Sequence, residues 1–430
     1  MEKVLVIGAA RSGIAISKLL AKKGYQVYVT DKGSIAFKEQ LESLGIVCIE
    51  KEHPDWLLEQ TYRWVIKNPG IPSTVEFVRK LAETQFIYNE IDISLLFASG
   101  FQVAGITGTN GKTTTTALLG SILQKSGKEA FIGGNIGVPM SEIVDKYGDK
   151  EALVSCEIAA FQLDGCLHFH PKAATILNLS PDHLDVYGNV TPYFQAKRRI
   201  YQNMNDEDTF VLNLDDPIIS TFDDLPKNRL TFSVLSKADA YLSSEGLILL
   251  NQLIVPIEQF PLVGKHNVAN ALAAACLAYA LGCSFEQIAS GIMEFAGVEH
   301  RIEFVKNIEG VAYYNDSKGT NSDATIVALK SFDQPVILLA GGYDKKTGFN
   351  ELIPYMNRVK TMIAYGATKY QLQAIYPEAI LVDTLDQAVA LAKQIAVSGD
   401  VVLFSPACAS WDQFDNYEQR GRIFKELVCE

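Results

Sequence analysis

The stretch Phe101-Gln102-Val103-Ala104-Gly105-Ile106-Thr107-Gly108-Thr109-Asn110-Gly111-Lys112-Thr113-Thr114 decides the fold. A strand-like run, Phe101 to Thr107, ends in a glycine-bearing loop, a lysine and hydroxyl residues, and then a helical pattern that stops at Gly127. Phosphate chemistry requires this order. Glycines let backbone N–H groups converge on phosphate oxygens, and the start of the helix adds partial positive charge. Lys112 is placed to reach the β- and γ-phosphates of a nucleotide, and the Thr113 hydroxyl to hold Mg²⁺. The strict pattern has a glycine five residues before Gly111; Ile106 stands there, and the first loop glycine is Gly108. Thr113 to Thr116 form a poor helix start by propensity, so their hydroxyls point to polar work.

Working outward, short β-branched runs alternate with longer helical patterns along nearly the whole chain, the mark of parallel sheets with crossover helices. The fold class is α/β in three blocks. The first, residues 1–92, is Rossmann-like: Val4-Leu5-Val6-Ile7, the loop Gly8-Ala9-Ala10-Arg11-Ser12-Gly13, an amphipathic helix to Gly24, and a strand from Gln26 to Thr30 ending at Asp31. Its strand Trp64–Lys67 stops at the turn Asn68-Pro69-Gly70-Ile71-Pro72. The second, residues 93–297, is a central P-loop ATPase with a mostly parallel sheet, closed by a helix from Asn267 to Leu281 that Gly282 terminates. The third, residues 298–430, is again Rossmann-like, with strands near Val311, Val336, Thr361 and Val401.

Bulk properties narrow the function. The 430 residues are 48% hydrophobic and 20% charged, enough for several cores. The net charge of −12 and the short basic cluster Lys197-Arg198-Arg199 argue against a nucleic-acid partner. Seven scattered cysteines without a Cys-x-x-Cys argue against a disulfide framework or a zinc knuckle. The chain begins on a strand-like stretch, with no signal peptide, and no apolar run reaches the roughly 18–20 residues of a membrane span. A cytoplasmic protein is expected.

Several side chains are chemical candidates. Glu157 ends the strand Leu153–Cys156, on the same edge as the phosphate loop if the sheet is parallel; it is either a Mg²⁺ ligand or a solvated strand-end glutamate. Asp182-His183 follow another strand, where α/β active sites form. Lys197, taken alone, reads as part of a basic solvated face. His168-Phe169-His170 would put two histidines on one strand face without an acidic third ligand, and reads as structural. The Gly8 loop matches a dinucleotide fingerprint with Ala10 in place of its middle glycine, and Asp31 falls near the distance of a ribose contact; this favours a nucleotide with a diphosphate over NAD.

These residues together resemble the Mur ligases. The resemblance runs over the whole chain and rests on Gly105 to Thr114, Gly133-Gly134-Asn135-Ile136-Gly137, Glu157 with Phe161-Gln162-Leu163, and Asp182-His183-Leu184-Asp185. It continues in Gly264-Lys265-His266-Asn267 with Asn270, His300-Arg301, Asn315 to Asn321 and Ser405 to Ser410. The last two, with Asp412-Gln413-Phe414 and Glu418-Gln419-Arg420-Gly421, are typical of the D-glutamate-adding branch. The resemblance implies a UDP-binding domain, a central ATPase and a mobile C-terminal domain. The implied activity is ATP-dependent joining of D-glutamate to UDP-N-acetylmuramoyl-L-alanine through an acyl phosphate, in peptidoglycan synthesis and so in cell shape and division.

The same resemblance assigns roles. Lys197 matches a carbamylated lysine that ligates Mg²⁺; with His183 it would hold one of two ions, while Thr113 and Glu157 hold the other. Gly108, Thr109, Asn110, Gly111, Lys112, Thr113, Thr114, Asn267, Asn270, Arg301 and Asp316 match ATP contacts. Ser12, Gly13, Asp31, Gly70 and Asn135 match contacts to the UDP-sugar. His183, Lys318, Thr320, Lys345, Ser410 and Tyr417 match positions around the incoming glutamate. Lys112, Glu157, His183 and Lys197 form the catalytic set, and a monomer acting on small molecules is expected. Ala159-Ala160 stand where two serines often follow in relatives, so no hydroxyl role carries there. A sister ligase or a folylpolyglutamate-type ligase is the nearest alternative. However, Asn110 stands where the L-alanine-adding relative has His, and the Asp-Asn-Pro-Arg of the diamino-acid-adding relative is absent. A nucleotide switch lacks the guanine-reading Asn-Lys-x-Asp, and an NAD oxidoreductase would rest on the Gly8 loop alone.

Overall fold

A computed structural model of the chain describes residues 1–344 and 348–430; the candidate Lys345 lies outside the described residues. Three sheets form among them. The first contains β1 (Lys3–Ile7), β2 (Gln26–Asp31), β3 (Val47–Glu50), β4 (Trp64–Lys67) and β5 (Ile87–Tyr88), in the order β3-β2-β1-β4-β5. Every pair in it is parallel. Val4, Leu5, Val6 and Ile7 are all fully buried, as strands covered on both faces must be. The helix Arg11–Lys22 packs Ile16, Leu19 and Leu20 onto this sheet and leaves its lysines outside.

The second sheet contains β6 (Phe101–Thr107), β7 (Ala130–Gly134), β8 (Ala152–Glu157), β9 (Ala173–Ile176), β10 (Thr209–Asn213), β11 (Arg229–Ser233), β12 (Ala240–Leu242), β13 (Gly246–Leu249) and β14 (Gln252–Pro256). The order is β14-β13-β12-β11-β10-β9-β6-β8-β7. It is parallel from β7 to β12, and β13 runs antiparallel to its two neighbours, β12 and β14. The chain leaves β6 toward β7 and β8 and then returns to its other side at β9, so β6 stands at the point where strand order reverses. Clefts for ligands open outside the carboxyl ends of strands at such points.

The third sheet contains β15 (Glu303–Ile308), β16 (Val311–Asn315), β17 (Val336–Gly341), β18 (Val359–Tyr365), β19 (Ile380–Leu381) and β20 (Val401–Phe404), in the order β15-β16-β20-β17-β18-β19. Only the β15–β16 pair is antiparallel among them.

The chain divides into two compact units. One comprises Met1–Phe260 and Val268–Phe295 and holds the first two sheets, which share a core reaching from Val4 and Val29 to Val154 and Phe210. The other comprises Pro261–Asn267 and Ala296–Glu430 and holds the third sheet.

Two expectations need correcting here. Thr115 and Thr116 are fully buried with Leu118, Leu119 and Ile122 in the helix Lys112–Gln124; their methyl-bearing side chains pack into the core and do no polar work at the loop. Residues 168–170 form no strand. The chain is irregular there, so the two histidines do not share a face. His168 stacks on Tyr88 at 5.9 Å between ring centroids, and His170 Nε2 lies 2.6 Å from Asp208 Oδ2, giving it the acidic neighbour the sequence seemed to deny it.

Candidate active site

The phosphate loop leaves β6 and is held in shape from outside. The Asn110 N–H donates to Asn178 Oδ1 at 2.8 Å, and Asn178 Nδ2 donates back to the Asn110 carbonyl at 3.0 Å. The Thr109 N–H donates to the Asn178 carbonyl at 3.0 Å. The Thr109 hydroxyl donates to the Ser180 carbonyl at 3.1 Å. Lys112 folds back over its own loop, donating to the carbonyls of Gly108 and Thr109 at 2.9 and 2.8 Å. At Gly111, φ is +84°, and a Cβ would lie 2.3 Å from Asn270 Oδ1. Glycine is required there on both counts, and the predicted nucleotide residue Asn270 is brought against the loop.

Parallel pairing sets Glu157 opposite Ile106 across β6 and β8, so Glu157 does share the edge of the phosphate loop. It is 1% exposed, which rules out the solvated reading. Its Oε1 accepts from Asn135 Nδ2 at 2.8 Å, and its backbone carbonyl accepts from the Asn135 N–H at 2.8 Å. Oε2 is buried without a hydrogen-bond partner among the described residues.

Lys197, in the helix Val190–Arg198, is 1% exposed, so the solvated-face reading fails as well. Its Nζ donates to the Gly108 carbonyl at 2.8 Å and lies 4.6 Å from the centre of the Tyr193 ring. Burial, and then the Lys112 ammonium, pull its pKa down to about 7. His183 has φ +51° at the start of the short helix Leu184–Tyr187 and is half-exposed. Its ring packs 6.0 Å from that of Tyr193. Tyr193 therefore touches both His183 and Lys197, and its hydroxyl reaches Thr109 Oγ1 at 3.4 Å.

Of the residues matched to the sugar nucleotide, Ser12 and Asn135 line a neighbouring cleft of about 230 Å³, which Arg11, Asn68, Glu90 and Gly137 also border; Gly13, Asp31 and Gly70 stand outside its lining. Gly13 lets the first helix start against the loop, because a Cβ there would meet the Gly8 carbonyl at 1.9 Å. Asp31 is engaged by the loop itself: Oδ2 accepts from the Ala9 N–H and Oδ1 from the Gly33 N–H, each at 2.7 Å. Asn68 ties the cleft together, donating from Nδ2 to Ser12 Oγ at 3.0 Å and accepting the Gly70 N–H on Oδ1 at 3.0 Å.

In the second unit, Asn267 Nδ2 donates to the Val263 carbonyl at 2.7 Å. Asp316 is buried; its Oδ2 accepts from the Ser405 hydroxyl at 2.6 Å and its Oδ1 from the Ile302 N–H at 3.3 Å, next to Arg301. Burial pushes its pKa up to about 7. Lys318 Nζ lies 5.4 Å from the centre of the Tyr417 ring, and the Thr320 N–H donates to the Lys318 carbonyl at 2.9 Å. Ser410 is buried at the end of the Ser405–Ser410 stretch. The fully buried Arg420 clamps these segments, donating to Ser317 Oγ and carbonyl and to the carbonyls of Cys408 and Ala409.

Comparison with known proteins accounts for this arrangement. The family profile described as "Mur ligase middle domain" matches residues 106–278, and "Mur ligase, glutamate ligase domain" matches 300–408. A UDP-N-acetylmuramoylalanine--D-glutamate ligase from Caldanaerobacter subterraneus subsp. tengcongensis is 39% identical, covering 100% of this chain and 98% of its own. One from Bacillus mycoides (strain KBAB4) is 40% identical, covering 99% and 97%. The chain belongs to the Mur ligase family. Among solved structures, the MurF ligase from Thermotoga maritima in complex with ADP is similar in fold, with a TM-score of 0.63 at 19% identity, covering 96% of this Mur ligase and 98% of that chain.

A cation fits part of the Mur ligase site. A buried carboxylate oxygen with no donor costs roughly 1–3 kcal/mol or more, and Glu157 Oε2 is such an oxygen at the strand edge the phosphate loop leaves. Lys197 as a plain amine does not fit as a ligand, since it donates to Gly108. Among the described residues no group of three or more His, Cys, Asp or Glu side chains is gathered around one point.

Four positioning residues escaped the sequence reading: Asn68, Asn178, Tyr193 and Arg420. Asn68 and Arg420 lay inside quoted motifs but were given no role. Asn178 and Tyr193 carried no local signal, because their partners lie 68 and 84 residues away.

Proposed function

We propose that this Mur ligase joins D-glutamate to UDP-N-acetylmuramoyl-L-alanine with ATP hydrolysed to ADP and phosphate. The observation that carries the reading is the full-length identity of 37–40% to ligases of that name, together with a clasped phosphate loop beside a buried, half-satisfied glutamate. The muramoyl-alanine carboxylate attacks the γ-phosphorus of ATP, the bond to the β,γ-bridging oxygen breaks, and an acyl phosphate forms. The D-glutamate amine then attacks the acyl carbon, and phosphate leaves.

The chain's own groups supply positioning and charge. Loop N–H groups and Lys112 hold the phosphates and offset charge on the transferring oxygens, which requires Lys112 to leave the carbonyls of Gly108 and Thr109. Asn270, Asn267, Arg301 and Asp316 hold the rest of the nucleotide. Ser12, Gly13, Asp31, Gly70 and Asn135 hold the sugar nucleotide. Lys318, Thr320, Ser410 and Tyr417 hold glutamate, with Lys345 and His183 assigned beside them. Thr113 and Glu157 would hold one Mg²⁺, and His183 with carbamylated Lys197 a second; bound there, the ions would neutralise phosphate charge. A lysine pulled down to about 7 has a neutral amine available to add CO₂, which supports the carbamate.

Domain limits at 92/93 and 297/298, a monomeric state and a cytoplasmic location are part of the same proposal. Among the described residues no helix is long and apolar enough to cross a membrane. The test is phosphate release from ATP with UDP-N-acetylmuramoyl-L-alanine and a panel of D- and L-amino acids. D-glutamate alone should support release coupled to a new amide. Release supported by a different amino acid, or by none, would refute the assignment.

A further inference from the structure

A second cleft, of about 250 Å³, lies beside the sugar-nucleotide cleft and has no part in the chemistry above. The two share Asn89 and border the same turn, Asn68 to Pro72. The second cleft is formed between the end of β4, the helix Glu76–Ala82, β5 and the short helix Ala160–Leu163. Val78, Phe86, Tyr88 and Phe161 give it apolar walls, Ser73, Gln85 and Asn89 add polar groups, and Lys67 and Asp164 bring two opposite charges to its lining. These charges interact electrostatically but form no ion pair with each other among the described residues.

Lys67 is half-buried. Its Nζ donates to the Ile71 carbonyl at 2.6 Å and, more weakly, to the Asn68 carbonyl at 3.3 Å. An ammonium has three N–H donors and no acceptor, so one remains for a ligand. Asp164 sits on the rim and accepts the Tyr187 hydroxyl on Oδ2 at 2.7 Å, which leaves most of its accepting capacity open. A cation and an anion that line one cleft without pairing, among apolar side chains, complement a molecule that carries both charges beside an apolar body. The volume is below the roughly 300–1,000 Å³ of pockets for drug-sized ligands, which limits the occupant to amino-acid size.

We propose that this cleft binds a free apolar α-amino acid, with its carboxylate on Lys67, its ammonium on Asp164 and its side chain among Phe86, Tyr88 and Phe161. Binding is coupled to the neighbouring cleft. The ammonium of Lys67 braces the turn whose Asn68 holds Ser12 and Gly70. A carboxylate bound through the remaining N–H competes with the Ile71 carbonyl for the ammonium, slackens that turn and weakens the hold on the sugar nucleotide. This coupling rests on the function proposed above; the binding itself does not.

The test uses the full chain and calorimetric titration with L- and D-phenylalanine and L- and D-leucine, with phenylacetate and phenethylamine as controls that each lack one charge. Saturable binding of at least one amino acid is expected, with both controls at least about tenfold weaker. Ala82→Trp, which fills the cleft from the exposed end of its helix and touches nothing in the catalytic machinery, should abolish binding and leave basal turnover intact. In steady-state assays a saturating amino acid should raise the KM for the sugar nucleotide about fivefold at constant kcat, and Ala82→Trp should remove the effect. No saturable binding by any amino acid, binding unchanged in Ala82→Trp, or phenylacetate binding as tightly as phenylalanine would each overturn the site. Binding with an unchanged KM would overturn the coupling. Because titration needs no turnover, a chain inactive with every acceptor still decides the question of the site.

Discussion

Lys197 shows how far a single side chain can depart from the reading its neighbours invite. Its run of basic residues suggests a wet surface, yet it is buried, donates to Gly108 and lies over Tyr193. Its pKa of about 7 lies below the unfolded value of 10.5. The charged form therefore costs stability in full below about pH 7, and the cost fades as pH rises toward 10.5. Only the neutral amine adds CO₂. Enzyme stripped of CO₂ should recover activity on adding bicarbonate at pH 8 and should not at pH 6, as followed by phosphate release. Lys197→Ala should lower kcat by roughly a hundredfold or more and be restored in part by short carboxylic acids; a folded variant without such rescue would argue against the carbamate. Asp316 runs the other way. Burial raises its carboxyl from 3.8 to about 7, so the folded state favours the protonated form, and the stability this gives is complete below 3.8 and lost as pH rises through 7. Asp316→Asn should thus raise thermal stability at pH 8, with an advantage that shrinks toward pH 5, while ATP-dependent turnover falls. Thermal unfolding at the two pH values, beside turnover, reads both.

At the scale of elements, the strands that carry chemistry were the legible ones. β4 and β6 fall where the pattern placed them, because buried parallel strands are unbroken apolar runs bounded by turn residues. The hairpin region β12 to β14 went unread: its strands are only three to five residues long, buried throughout in β13 and partly exposed in β12 and β14, and so share no pattern. The candidate site was legible where motif spacing fixes geometry, as in the loop and in Glu157 through strand register. It was opaque where a partner comes from a distant segment, as Asn178 does. The glycines make the element-level test. Gly111→Ala would drive a Cβ toward Asn270 and force an alanine into φ +84°; kcat/KM for ATP should fall at least about a hundredfold with little change in sugar-nucleotide affinity. Gly13→Ala, whose Cβ meets the Gly8 carbonyl, should do the converse, raising the KM for the sugar nucleotide. Titration of each ligand separately distinguishes the two.

At the scale of the molecule, alternation of strands and helices yields three sheets, and the reading reached three blocks. It did not reach the grouping. The first two sheets share one core, because periodicity states which face of an element is apolar and not which sheet that face will meet. A nucleotide bound by the folded chain should stabilise it by about 2.7 kcal/mol at a concentration near 100 Kd. A non-hydrolysable ATP analogue with Mg²⁺ should therefore raise the thermal midpoint by several degrees, and Lys112→Ala should show none of that rise.

The amide of Asn135 and the carboxylate of Glu157 remain tied by a bond of 2.8 Å. One of these groups is assigned to the sugar nucleotide and the other to a divalent ion, so neither ligand can load without altering what the other meets. Thermodynamic reciprocity then fixes a quantitative consequence. Whatever factor magnesium contributes to the affinity for the sugar nucleotide, the sugar nucleotide must return to magnesium, and Asn135→Ala should set both factors to one.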